Sequence, residues 1–275
     1  MNSIVISLGG LRVRYVGCYG GASVETPAFD RFASEGFTFD ECFVETPSPA
    51  ATRQAWWTAR YQNFRDPDEP ARPGTGHPCL IRAIRAARVR TVLVRDSSAL
   101  VENSRVDSAR FDQIIEIDRA DGDSTSRVFE AARRWLAREA SKGQFLLFID
   151  CHGAHPPWYP PQTPDESDAE LEAIETEQPV DGDADNGVAI DSSATHESSE
   201  PVSAADQARQ TYAAVVSHLD AELGSFLDFM RGRAEWEPSL VVITSDCGTT
   251  LDDHKTATLD GSSLHEGRTH VPLLI

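Results

Sequence analysis

Lysine is almost missing from this 275-residue chain: only Lys142 and Lys255 occur, and every other basic side chain is an arginine. Against 25 Lys and Arg stand 44 Asp and Glu, a formal net charge of −19. Such a surface repels phosphate backbones, which argues against nucleic acid as a partner. Self-repulsion at this charge works against the compact state in dilute buffer, whereas at molar salt the screening length falls to about 3 Å. The composition therefore fits a protein of a salt-accumulating halophile better than an ordinary acidic protein. Paired cysteines are missing as well. The five cysteines are odd in number and irregularly spaced, and Cys18, Cys42, Cys79 and Cys151 lie in or beside apolar runs. That argues against a disulfide framework and suits packing residues in a reducing interior. No apolar run approaches the roughly 20 residues of a spanning helix, so no membrane segment is expected. A strand starting at Ser3 leaves no room for a leader, and the expectation is a soluble cytoplasmic protein.

What is present is an alternation of strand-like and helix-like segments. Asn2 to Leu8 is a short β-branched run closed by Gly9-Gly10, which reads as a buried strand. Further strands are predicted near 37–43, 90–95, 112–117, 144–150, 239–245 and 271–275. Helices are predicted near 27–35, 50–59, 77–87, 124–141 and 204–232. Thr26-Pro27 supplies a capping hydroxyl and a proline at the first helical position, and Gly36 ends that helix. In the longest helix, Ala213, Val216, Leu219, Leu223, Phe226 and Leu227 recur at helical spacing, which leaves Asp220 and Glu222 facing solvent. The alternation implies one α/β domain over residues 1–275, a three-layer αβα sandwich around a mixed, mainly parallel sheet.

One stretch breaks the pattern. Between Gln162 and Asp206 the chain carries fourteen acids and neither Lys nor Arg. It is too poor in apolar residues to offset the cost of ordering, so 163–203 is expected to be an acidic, disordered insertion. An acidic lid or partner-binding tail is the functional alternative.

The most informative stretch is TPSPAATRQAWWTARY, Thr46 to Tyr61: a Pro-rich approach, a polar turn, Arg53, and an apolar helical run closed by Thr58-Ala59-Arg60. It resembles the nucleophile segment of the sulfatases, in the alkaline phosphatase superfamily, where Cys or Ser, any residue, Pro, Ser or Ala and Arg precede a helix ending in Thr-Gly-Arg. Four other segments resemble that family in the same order: GCYGGASVETPAFDRFASEGFTF, QFLLFIDCHGAHPPWYPP, LVVITSDCGTTLDDH and SSLHEGRTHVPLLI. The resemblance implies an alkaline phosphatase/sulfatase-like fold. Its smaller C-terminal subdomain would lie beyond Val271 to Ile275, so a protein partner or a second copy is expected to cover that edge.

The resemblance also implies where the chemistry should be. The nucleophile falls on Pro49, which has neither a hydroxyl nor a thiol. The first-strand metal carboxylates fall on Gly9 and Gly10, the later ligand pair on Asp246 and Cys247, and a cationic lysine on Gly261. The family would use Ca²⁺ or Mg²⁺, hard cations that need several oxygen ligands, and Asp246 alone is a poor site. No cofactor is therefore expected. Arg53 and His155 occupy catalytic positions, with His152 beside them. Arg53 either clamps a sulfate- or phosphate-type anion or pairs with an internal acid, and the sequence leaves both open. His155 is either ligand-facing or bonded to backbone, and Asp246 is either a site residue or a turn acid. Cys247, Cys151, His152, His155, His254 and His265 follow no compact zinc spacing. The expected protein is a degenerate sulfatase-like pseudoenzyme that binds an anion or a partner; the alternative is a metal-dependent sulfuric or phosphoric ester hydrolase with a rearranged site.

Overall fold

The computed structural model describes residues 1–59, 79–97, 111–118, 124–158, 203–231, 233, 239–251 and 264–275. The expected insertion lies, but for Ser203, outside the described residues, as do Asp252, His254 and Gly261. Six strands form one sheet: β1 Asn2–Leu8, β2 Arg90–Ser97, β3 Gln113–Asp118, β4 Phe145–Cys151, β5 Ser239–Thr244 and β6 Leu273–Leu274. Their order is β3-β2-β4-β1-β5-β6, and only β6 runs antiparallel, to β5. Among the described residues six α-helices accompany them: α1 Pro27–Glu35, α2 Pro49–Thr58, α3 Leu80–Ala86, α4 Thr125–Glu139, α5 Ala204–Arg231 and α6 Glu266–Thr269. No described helix is long and apolar enough to cross a membrane.

Strand β4 shows why the layers form. All seven of its residues are buried, as a parallel strand covered on both faces requires. Alternate side chains go opposite ways. Phe145, Leu147 and Ile149 join the larger core with Phe29, Phe129, Leu219 and Phe226, while Leu146 and Phe148 join a smaller one with Trp57, Ile81 and Phe111. Trp57 meets Phe148 edge-on, ring centroids 4.9 Å apart. Arg53 lies one helical turn before Trp57, and Asp150 two residues beyond Phe148 on the same strand face. The aromatic contact therefore points Arg53 at Asp150.

Three sequence expectations need correction. Residues 37–43 are not a regular strand. They make isolated bridges, Thr38 to Leu274 and Phe43 to His270, because Phe37, Phe39 and Phe43 turn outward instead of alternating into the core. The α1 cap is not Thr26, whose hydroxyl accepts from Gly17 N at 2.7 Å. Asp220, expected in solvent, is instead 3% exposed and accepts from Ala28 N and Phe29 N at 3.1 and 3.0 Å. Helix α5 thus supplies the acid that closes the start of α1, and burial raises that carboxyl above its ordinary range. Asp220→Ala should cost about 1–2 kcal/mol, because it strands two buried N–H groups, and denaturant unfolding checks it. Ala59 ends α2 with φ 52°, a left-handed conformation natural to glycine. Ala59→Gly should raise stability by about 1 kcal/mol in the same measurement, since it removes the Cβ strain.

Candidate functional site

The parallel register brings three strand ends together: Ser7 of β1 pairs with Asp150 of β4 on one side and with Thr244 of β5 on the other. Beyond these ends the chain continues as Gly9-Gly10, as His152 to His155, and as Ser245-Asp246-Cys247. Backbone bonds fasten the three together, Gly9 N to the Cys151 carbonyl at 2.7 Å and Gly10 N to the Cys247 carbonyl at 3.0 Å. Helix α2 enters from the side. Pro49 is its first residue, Ser48 caps it by accepting from Ala51 N, and Arg53 sits one turn in.

Arg53, Asp150, His152, His155 and Asp246 converge here, each no more than 6% exposed. Arg53 donates to Asp150 as a fork, Nε to Oδ2 at 3.0 Å and Nη2 to Oδ1 at 2.8 Å. The same Nη2 lies 2.8 Å from Asp246 Oδ2 and 2.7 Å from His152 Nε2. A guanidinium only donates, so any hydrogen bond in the last contact has His152 Nε2 as acceptor, in competition with the two carboxylates for the two protons of Nη2. Asp246 Oδ1 accepts from Cys247 N at 2.7 Å and Gly10 N at 3.3 Å, and lies 3.1 Å from His155 Nε2. Of the readings left open, Arg53 has taken the internal acids. Asp246 is at once a turn acid and an ion-pair partner, and His155 faces a carboxylate.

Burial alone would raise both carboxyls. The Arg53 guanidinium holds Asp150 well below the usual range, and His155 with Arg53 does the same for Asp246. Desolvation opposes the charge on Arg53, but its two carboxylates more than reverse that and raise its pKa. Burial and the Asp246 charge push the Cys247 thiol up, which makes it a poor nucleophile.

These residues therefore form a closed cluster rather than the wall of an open concavity. Asp150, which holds Arg53 by two bonds, is a site residue that motif matching does not single out; its one signal in the sequence is an acid near the end of an otherwise apolar strand. Asp112 is elsewhere, bonded to Thr91 and Arg85. The glycines are built in. A Cβ on Gly9 would stand 2.9 Å from His155 Cδ2 and 3.1 Å from Asp246 Oδ2. Gly10, at φ +85°, would press its Cβ within 2.5 Å of the Ala154 backbone. Carboxylates cannot be returned to positions 9 and 10 without moving the His155 loop. Ca²⁺ or Mg²⁺ does not fit this arrangement, since Arg53 already stands at hydrogen-bond distance from the oxygens such an ion would need. His152, His155 and Asp246 do offer three donor atoms within 4.8 Å of one another, a set suited to a softer cation.

The comparisons bear on the family and the fold. The sequence model of the Sulfatase family matches residues 1–275. No functionally curated sequence matches the chain. Among solved structures, the C-terminal periplasmic domain of EptC from Escherichia coli is similar, at TM-score 0.70 and 14% identity over 99% of this chain and 71% of its own. An alkaline phosphatase superfamily protein from Vibrio parahaemolyticus gives 0.67 and 18%, over 100% of this chain and 59% of its own. Phosphonate monoester hydrolase of Agrobacterium radiobacter gives 0.66 and 16%, over 99% and 67%.

The depressed carboxyls set a pH dependence. A folded-state pKa below the unfolded one contributes stability above the unfolded value, about 4, and loses it as pH falls toward the lowered one. Unfolding free energy should therefore drop steeply below about pH 4. Arg53→Ala leaves two buried acids without their cation and should cost about 3–5 kcal/mol near neutrality. In that variant the loss should shrink as pH falls and the acids protonate; paired denaturant titrations at pH 7 and pH 4 measure both.

Proposed function

The chain belongs to the sulfatase family, and we propose that within it this protein acts by binding an anion or a protein partner rather than by hydrolysing esters. One observation carries the reading: the Arg53 guanidinium sits among Asp150, His152 and Asp246, where a hydrolase needs a divalent cation facing its substrate. Ester cleavage in such a site needs a nucleophile, a metal to neutralise the oxyanion, and access. Pro49 supplies no nucleophile, the cation is internal, and the carboxylates are sealed from solvent.

The second reading, a hydrolase with a rearranged site, is favoured by the three donors of His152, His155 and Asp246. A Zn²⁺-type cation would have to displace Arg53 to reach them. Chain length bears on the comparison too, since this chain spans 59–71% of the three structures described above.

Turnover of an aryl sulfate and an aryl phosphate, with Ca²⁺, Mg²⁺ or Zn²⁺ added, should be undetectable. Pro49→Ser should remain silent: it adds a hydroxyl but no oxyanion-facing cation, and losing one such contribution already costs about 3 kcal/mol. Stoichiometric zinc, with turnover abolished by Asp246→Ala, would replace the binding reading with the hydrolytic one.

A further inference from the structure

The Arg53 guanidinium fits its surroundings unevenly. Nη2 carries two protons, yet three side-chain atoms stand about it: His152 Nε2 at 2.7 Å, Asp150 Oδ1 at 2.8 Å and Asp246 Oδ2 at 2.8 Å. Nη1 also carries two protons, and it is buried with no hydrogen-bond partner among the described residues. A planar donor fork is served best by acceptors spread along its edge. Here they gather about one nitrogen instead. A convergent set of that kind suits a point charge, which has no protons to share out.

With one neighbour added, those atoms make a ligand set. His155 Nε2 lies 3.1 Å from Asp246 Oδ1, and His152 Nε2 lies 3.5 Å from Asp150 Oδ2. His152, His155 and Asp246 each offer an atom within 4.8 Å of the other two. Bonds of about 2.0–2.2 Å put the donors of a four-coordinate zinc about 3.3–3.6 Å apart. The three atoms around Nη2 would each have to move in by less than about 1 Å to reach such bonds. Two imidazoles and two carboxylates suit a zinc-type dication, which also matches the charge of two carboxylates where the guanidinium brings a single charge. Of the metal positions implied by the family resemblance, Gly9, Gly10, Asp246 and Cys247, only Asp246 belongs to this set.

We propose that Asp150, His152, His155 and Asp246 are a transition-metal site of the zinc type, and that Arg53 is the tethered cation that keeps it closed. Tethering decides the competition. The guanidinium belongs to the chain, on a helix fixed by Trp57 against Phe148, so its local concentration is high and independent of the medium. A free ion would have to displace it and leave it buried without its carboxylates. The native chain therefore takes up no zinc, and removing the guanidinium turns the cluster into a metal centre. This role of Arg53 rests on the same inward placement as the binding reading above, yet the two fail separately. Ester turnover by the native chain would overturn that reading; an Arg53 variant that takes up no metal would overturn this one with turnover still absent.

The test is zinc content and thermal unfolding of the full chain, after loading with ZnCl2 and desalting, and again after EDTA. The native chain should carry no zinc, and EDTA should leave its Tm unchanged. Arg53→Ala should carry one Zn²⁺ per chain, and zinc at roughly a hundredfold over its Kd should raise Tm by about 5–10 °C. Adding Asp246→Ala or His155→Ala to Arg53→Ala should abolish uptake, whereas adding His265→Ala, at the exposed start of α6, should not. Arg53→Gln, neutral and closer in length, repeats the measurement should Arg53→Ala not refold. Equal zinc in the native chain, none in either Arg53 variant, or uptake that survives the Asp246 and His155 replacements overturns the proposal.

Discussion

One buried cation, the guanidinium of Arg53, holds the centre of this protein together. Two carboxylates at the ends of β4 and β5 are sealed from water, at a cost that only close opposite charge and hydrogen bonds can offset. Arg53 supplies the charge to both. One guanidinium does not by itself balance two carboxylates, and neighbouring hydrogen-bond donors share the rest. Gly10 N and Cys247 N donate to Asp246, and His155 lies against its other side. The turns after β1 and β5 are therefore electrostatic parts of the cluster, which is why they are also joined backbone to backbone.

An arginine differs from a divalent ion in where its charge is anchored. A metal is held only by its ligands and needs many of them, so it draws carboxylates from several strands. Arg53 arrives on a helix that is already fixed by Trp57 against Phe148. It needs fewer oxygens, and further acids would add uncompensated charge. The glycines at 9 and 10 follow from that economy. With no side chains there, the His155 loop closes to within contact of the backbone, and the space a metal and its ligands would fill is gone.

The framework was legible in the sequence because strand and helix periods carry it. The apolar run ending at Asp150, the β-branched run before Gly9 and the heptad-like spacing in α5 each located an element to within a few residues. The site was half legible. Motif order placed Arg53, His152, His155 and Asp246 at one end of the sheet, but nothing local tells whether an arginine faces a ligand or an internal acid. That depends on the Asp150 carboxylate, 97 residues away in sequence. Asp220 is misread for another reason: it stands in phase with Val216, Leu223 and Leu227 on the apolar stripe of α5, but its charge suggests solvent until its partners on α1 are known. Periodicity can show that a polar side chain is buried, but not which distant group it pairs with.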